Sequence, residues 1–120
     1  MSRREALLAG AAINQLFGSE RLPLVPFGPH RISRLIVGGN PISGNSHISP
    51  EVSRQMRDYF TAARVLELLR RAEQAGINTW QARGDRHILR LLNEHRLEGG
   101  RMHFIAQTAS ELADIPAHIR

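Results

Sequence analysis

Apolar residues recur along this chain at two spacings. Leu35-Ile36-Val37 is a short continuous run that meets Gly38-Gly39-Asn40-Pro41, the signature of a buried strand ending in a tight turn. This predicts a first strand over 32–37 and a loop rich in Gly, Asn and Ser over 38–47. Ser49-Pro50-Glu51 then offers a hydroxyl cap, a proline at the first helical position and an acid in the first turn. Val52, Met56 and Tyr59 follow at helical spacing, so a short helix is expected over 50–58. Thr61 caps a second helix. Its apolar face is Ala62, Val65, Leu66, Leu69 and Ala72. Its polar face is Arg64, Glu67, Arg70, Arg71 and Gln74, and Gly76 ends it as the left-handed residue. A second strand is expected over 77–82. Asp85 caps a third helix that turns Ile88, Leu89 and Leu92 inward and stops at Gly99-Gly100. A third strand is expected over 102–107, centred on Phe104 and Ile105. Ser110 to Ala113 reads as one turn, and Asp114-Ile115-Pro116 as a further helix start.

Strands alternating with helices imply right-handed crossovers and a parallel sheet. A parallel sheet is covered on both faces, which three strands with helices on one side do not achieve. A closed barrel of this kind uses eight strands and about 250 residues. The expected fold class is therefore α/β: a partial (β/α)8 (TIM) barrel of about three βα units, over 31–120. Residues 1–30 form an N-terminal arm and a linker with three prolines in 23–29. Proline there forbids helix and interior strand.

Composition narrows the classes. The 120 residues, 42% hydrophobic and 22% charged, suit one modest globular domain. There is no cysteine, so disulfides and thiolate metal sites are excluded. No apolar run approaches the roughly 18–20 residues of a membrane span. The net charge of +5 is carried by arginine alone, because lysine is absent. That removes Schiff-base chemistry. The arginines are spread from Arg3 to Arg120 rather than gathered, which argues against a nucleic-acid footprint. Arg3-Arg4 before the run Ala6 to Ile13 has the outline of a degenerate twin-arginine export signal. The run is short and Asn14 and Gln15 interrupt it, so a surface helix or loose arm and a cytoplasmic location are the leading expectation, with export as the alternative.

Leu35-Ile36-Val37-Gly38-Gly39-Asn40-Pro41-Ile42-Ser43-Gly44, followed after an amphipathic helix by Ala75-Gly76-Ile77-Asn78-Thr79, resembles the opening of aldo/keto reductase-like barrels. It is more specifically similar to a poorly characterised bacterial group of TIM-barrel proteins with an Asn-Pro-Ile-x-Gly-x-Ser-His loop and Gly-Ile-Asn-Thr-Trp-Gln on the second strand. Here these are Asn40 to His47 and Gly76 to Gln81. The resemblance spans 32–108 and implies that the chain is the N-terminal part of such a barrel. It also implies a catalytic aspartate, tyrosine and lysine. The aspartate position holds Gln81, the tyrosine position holds Arg86, and there is no lysine. An amide does not support a neighbouring acid as a carboxylate does, and arginine is no proton donor at neutral pH.

On a barrel, chemistry sits at strand carboxyl ends. His47 is a candidate general base or metal ligand, or an exposed loop histidine. Gln81 and Trp80 point to opposite sides of a strand, so one of them faces the barrel interior. An inward Gln81 needs polar partners. Asn40 offers a donor and an acceptor to a polar ligand, or caps its own loop. Arg83 presents a two-pronged donor to a carboxylate or phosphate, or lies on the surface. Gln107 ends the third strand. The expected assignment is His47 and Gln81 as catalytic residues and Asn40, Arg83 and Gln107 as substrate-binding residues. No His, Asp or Glu cluster has metal-ligand spacing, and no motif specifies a cofactor. The expected function is the N-terminal portion of a TIM-barrel enzyme acting on a small polar ligand without the usual tetrad. The alternative is a non-catalytic binding or assembly module that completes its barrel with a partner or as a homo-oligomer.

Overall fold

A computed structural model describes residues 22–108. The element order is β1 (Leu24–Phe27), β2 (His30–Ser33), α1 (Asn40–Ser43), α2 (Pro50–Tyr59), α3 (Ala62–Gln74), β3 (Thr79–Arg83), α4 (Arg86–Leu97) and β4 (His103–Gln107). β1 and β2 form an antiparallel pair, and β3 and β4 a parallel pair. The expected segments at 1–13 and 110–116 lie outside the described residues.

The partial (β/α)8 barrel with three βα units is therefore not the architecture. Among the described residues there are two separate two-stranded sheets and four helices. The strand expected over 32–37 is divided. Its first residues belong to β2, and only Val37 meets β3, through an isolated parallel bridge to Trp80. The division has a local cause. The Ser33 hydroxyl donates to the Leu35 carbonyl at 2.6 Å, which bends the chain at Arg34. A hydroxyl reaching its own backbone two residues on competes with strand continuation.

β1 arises within the segment expected as linker. The two-residue turn Gly28-Pro29 sets Phe27 against His30 and Pro26 against Arg31. In an antiparallel ladder, directly opposed pairs alternate between hydrogen-bonded and non-bonded. The pair beside a two-residue turn is bonded, so Pro26 falls in a non-bonded pair and its missing N–H costs no ladder bond. The same alternation turns the Arg31 carbonyl and the Ser33 N–H outward. Asn78 takes both. Its Oδ1 accepts from the Ser33 N–H at 2.8 Å and its Nδ2 donates to the Arg31 carbonyl at 3.0 Å. The Asn78 N–H donates to Ser33 Oγ at 3.0 Å. One side chain thus clasps the hairpin to the start of β3.

The helices follow from their caps. Ser49, Thr61 and Asp85 each accept a backbone N–H from the first turn, at Val52, Arg64 and Ile88. Val65, Leu69 and Ala72 of α3 and Ile88, Leu91 and Leu92 of α4 face one side of the β3–β4 sheet. Trp80, Ala82 and Met102 meet them there. Buried His95 in the last turn of α4 lies 3.1 Å from Glu73 Oε1 of α3, an oxygen that also accepts the Arg101 N–H. The other side of the sheet carries no helix among these elements, and Gln81 is exposed on it. No helix of the described residues is long and apolar enough to cross a membrane.

On the outer face of α3, Glu67 accepts from Arg70 at 2.6 Å and from Arg71 at 2.8 Å. These hydrogen bonds, Arg70's first, hold its carboxyl below the usual range. A lowered carboxyl contributes stability above its unfolded-state pKa and loses it as pH falls through the folded-state value. The pair is exposed, so salt screens it. The difference in denaturation midpoint between the parent and Glu67→Gln should be small at neutral pH and close in acid. A difference that widens in acid would contradict this sign. Asn78→Ala should cost about 1–3 kcal/mol in urea unfolding, because it leaves the Ser33 N–H and Arg31 carbonyl without their partner. Its signature is faster amide exchange at Ser33 with β3–β4 protection retained.

Candidate functional site

The loop after Val37 is held by two contacts with β3. The fully buried Trp80 indole donates Nε1–H to the Gly38 carbonyl at 3.1 Å. Gly39 lies against Ala82, where a Cβ on residue 39 would fall 2.6 Å from the Ala82 Cβ. Only glycine allows this approach. It sets Asn40, the first residue of α1, beside the carboxyl end of β3. α1 was expected as loop. Pro41 starts it and Gly44, at φ +70°, ends it.

Gly44 is also in contact with Arg57 of α2. A Cβ there would lie 2.4 Å from Arg57 Cγ. The guanidinium donates to the Gly44 carbonyl at 3.4 Å. Arg57 forms no ion pair among the described residues and lines two clefts. One, of about 450 Å³, is bounded by Gly44, Ser46, His47, Ser49 and Ser53. Its serines are occupied locally. Ser46 Oγ accepts from the Ile48 N–H at 2.9 Å, Ser53 Oγ from the Ser46 N–H at 3.0 Å, and Ser49 caps α2. The second cleft, of about 500 Å³, is bounded by Ile42, Ser43, Phe60, Thr61, Asp85 and His87. Ser43 Oγ is buried and has no hydrogen-bond partner among the described residues. A buried hydroxyl left without a partner costs about 1–3 kcal/mol, so such groups are rare unless something fills them.

The structure brings the expected residues together in two pairs. Asn40 Nδ2 and His47 Nε2 are 3.4 Å apart, at the rim of the first cleft. Arg83 and Gln107 are opposed in register at the ends of β3 and β4, and the Gly84 N–H donates to the Gln107 carbonyl at 2.8 Å. Arg83 Nε also lies 3.8 Å from the Asp85 carboxylate. Gln81 stands apart from both, opposite Ile105 on the uncovered sheet face, while Trp80 takes the helix-packed face. Sequence reasoning missed Arg57. Ser53 and Arg57 stand four apart on α2, and that i, i+4 spacing after a Gly-Ser loop was the available signal. Ser43 was legible as a residue of the loop after the first strand, where chemistry gathers on such a sheet, but its burial was not.

Among the described residues no group of three or more His, Asp or Glu is placed to hold a metal ion. No protein-family model, no curated protein and no solved structure matches the chain.

Ser43→Ala tests the orphan hydroxyl directly. Removing an unsatisfied buried group while keeping the backbone should raise stability by about 1 kcal/mol in urea unfolding. A loss of stability would mean that the hydroxyl is satisfied within the fold.

Proposed function

We propose that this chain binds a small polar ligand bearing an anionic, acceptor-rich group, held at Arg57 between the two clefts. The observation that carries the reading is the buried Ser43 hydroxyl, which lines a cleft beside that guanidinium and lacks an acceptor. A ligand oxygen supplies the acceptor. Arg57 supplies charge and a forked donor. The first turn of α2 opens onto the neighbouring cleft and favours the same sign of charge. His47, 3.4 Å from Asn40 Nδ2, stands at the rim of the first cleft. In this reading Asn40 and His47 border the ligand, with Arg83 and Gln107 further along the strand ends.

Inorganic phosphate is the probe. Titrated into the labelled full chain, it should shift the amide signals of Ser43, Gly44 and Ser46, with Kd in about the millimolar range. Arg57→Gln should weaken it about tenfold, the loss of one charge-assisted contact. Ser43→Ala should bind more weakly while folding more stably, the trade expected of a binding group. Unshifted signals, or equal affinity in Arg57→Gln, would overturn the reading.

A second reading is self-association. Leu35 and Ile36 are 57% and 41% exposed beside the uncovered face of β3–β4. A second copy placed on that face would give the sheet its missing cover. Sedimentation should then show a concentration-dependent dimer that Ile36→Glu abolishes. A monomer at all concentrations would end this reading.

A further inference from the structure

At the other end of the sheet, a separate cavity of about 280 Å³ lies between the hairpin and β4. Its walls are apolar and partly aromatic: Phe27, Ile32, Met102 and Phe104. Its polar lining is Arg96, His30 and His103. The two imidazole rings are 5.0 Å apart and tilted by 50°. Among the described residues no acid lines it. Arg96 forms no ion pair among the described residues. A basic residue in the last turn of a helix is favoured by the helix dipole, which accounts for an arginine at that position. It does not account for the aromatic side chains of Phe27 and Phe104 that line the same cavity.

We propose that this cavity is a binding site for a small aromatic carboxylate, one ring carrying one acid group. Volume sets the size. Sites for drug-sized ligands run from about 300 to 1,000 Å³, so this one suits a single ring. Charge sets the sign. One permanent cation with two imidazoles and no carboxylate favours a monoanion and opposes a metal cation at the histidine pair. The apolar walls exclude the highly charged alternative. A phosphate dianion would have to give up more hydration beside Phe27, Ile32 and Phe104 than a monoanion does. Phe27 and Phe104 take the ring, and Arg96 meets the carboxylate through its fork.

The site is independent of the Arg57 clefts, and the same spectra separate them. Benzoate titrated into the labelled full chain should shift the amides of His30, Arg96 and His103, with Kd in about the millimolar range. Benzamide has the same ring without the charge and should bind at least about tenfold more weakly. Arg96→Gln should lose most benzoate affinity, and Arg96→Lys should recover part of it. Both replace an exposed side chain, so the fold survives them. Absence of shifts up to about 50 mM benzoate would overturn the proposal. So would equal binding of benzamide, unchanged affinity in Arg96→Gln, or shifts confined to Ser43 and Gly44. Tighter binding of zinc than of benzoate at His30 and His103 would also replace it with a metal site.

Discussion

The seat of Trp80 beneath Gly38-Gly39 is the constraint on which the rest depends. The indole is fully buried among Val65, Leu69 and Ile88, and its N–H reaches the Gly38 carbonyl at 3.1 Å. A buried tryptophan needs a partner for that donor, and the partner is the backbone of the loop that opens the candidate site. Two ladder bonds complete the seat. The Val37 N–H donates to the Thr79 carbonyl at 3.0 Å and the Gln81 N–H to the Val37 carbonyl at 2.9 Å. The position of Asn40 is therefore fixed by the hydrophobic core together with the glycines of the loop. Because Gly39 leaves no room for a side chain over Ala82, the loop enters at a single height above the sheet.

What was legible in the sequence was what is local. The caps at Ser49, Thr61 and Asp85 each bond a residue three positions on, so the chain around them carries all the information. The apolar face of α3 reads correctly at Val65, Leu69 and Ala72, although Ala62 is exposed. In α4 Ile88 and Leu92 turn inward as expected, but Leu89 is 46% exposed and Leu91 takes the inward place. That Trp80 and Gln81 take opposite faces was also readable. The hairpin was not, because three prolines look like a break until the ladder alternation shows where a missing N–H is harmless. The barrel expectation failed at one hydroxyl. Ser33 bends the chain just where the apolar pattern continues through Ile36, and periodicity does not register a bend made by a side chain.

Asn78 shows the same limit from the other direction. In the sequence it is part of a weak Gly-Ile-Asn signature. In the structure it bonds residues 45 and 47 positions away. Its carboxamide has one acceptor and two donors, and the hairpin offers one donor and one acceptor at the spacing of a strand residue and its next-but-one neighbour. No spacing within a single segment encodes such a match. The candidate site was half legible for a related reason. Asn40 and His47 are seven apart in one loop, whereas Ser43 and Arg57 meet only because α2 folds back over α1.

The two ends of the β3–β4 sheet differ in how they treat arginine, and the difference follows from where acids are available. Arg70 and Arg71 share the Glu67 carboxylate on the exposed face of α3. Arg83 stands near Asp85. Among the described residues Arg57 and Arg96 have no such carboxylate, and each borders a cavity. An unpaired guanidinium on an open surface costs nothing, since water solvates it. Beside an orphan hydroxyl, or beside two phenyl rings, the water that would solvate it is partly displaced, and the field it exerts is less screened. Those are the conditions under which one charge can select a ligand by sign. A single guanidinium at a concave place suits a small anion better than the extended phosphate track of a nucleic acid.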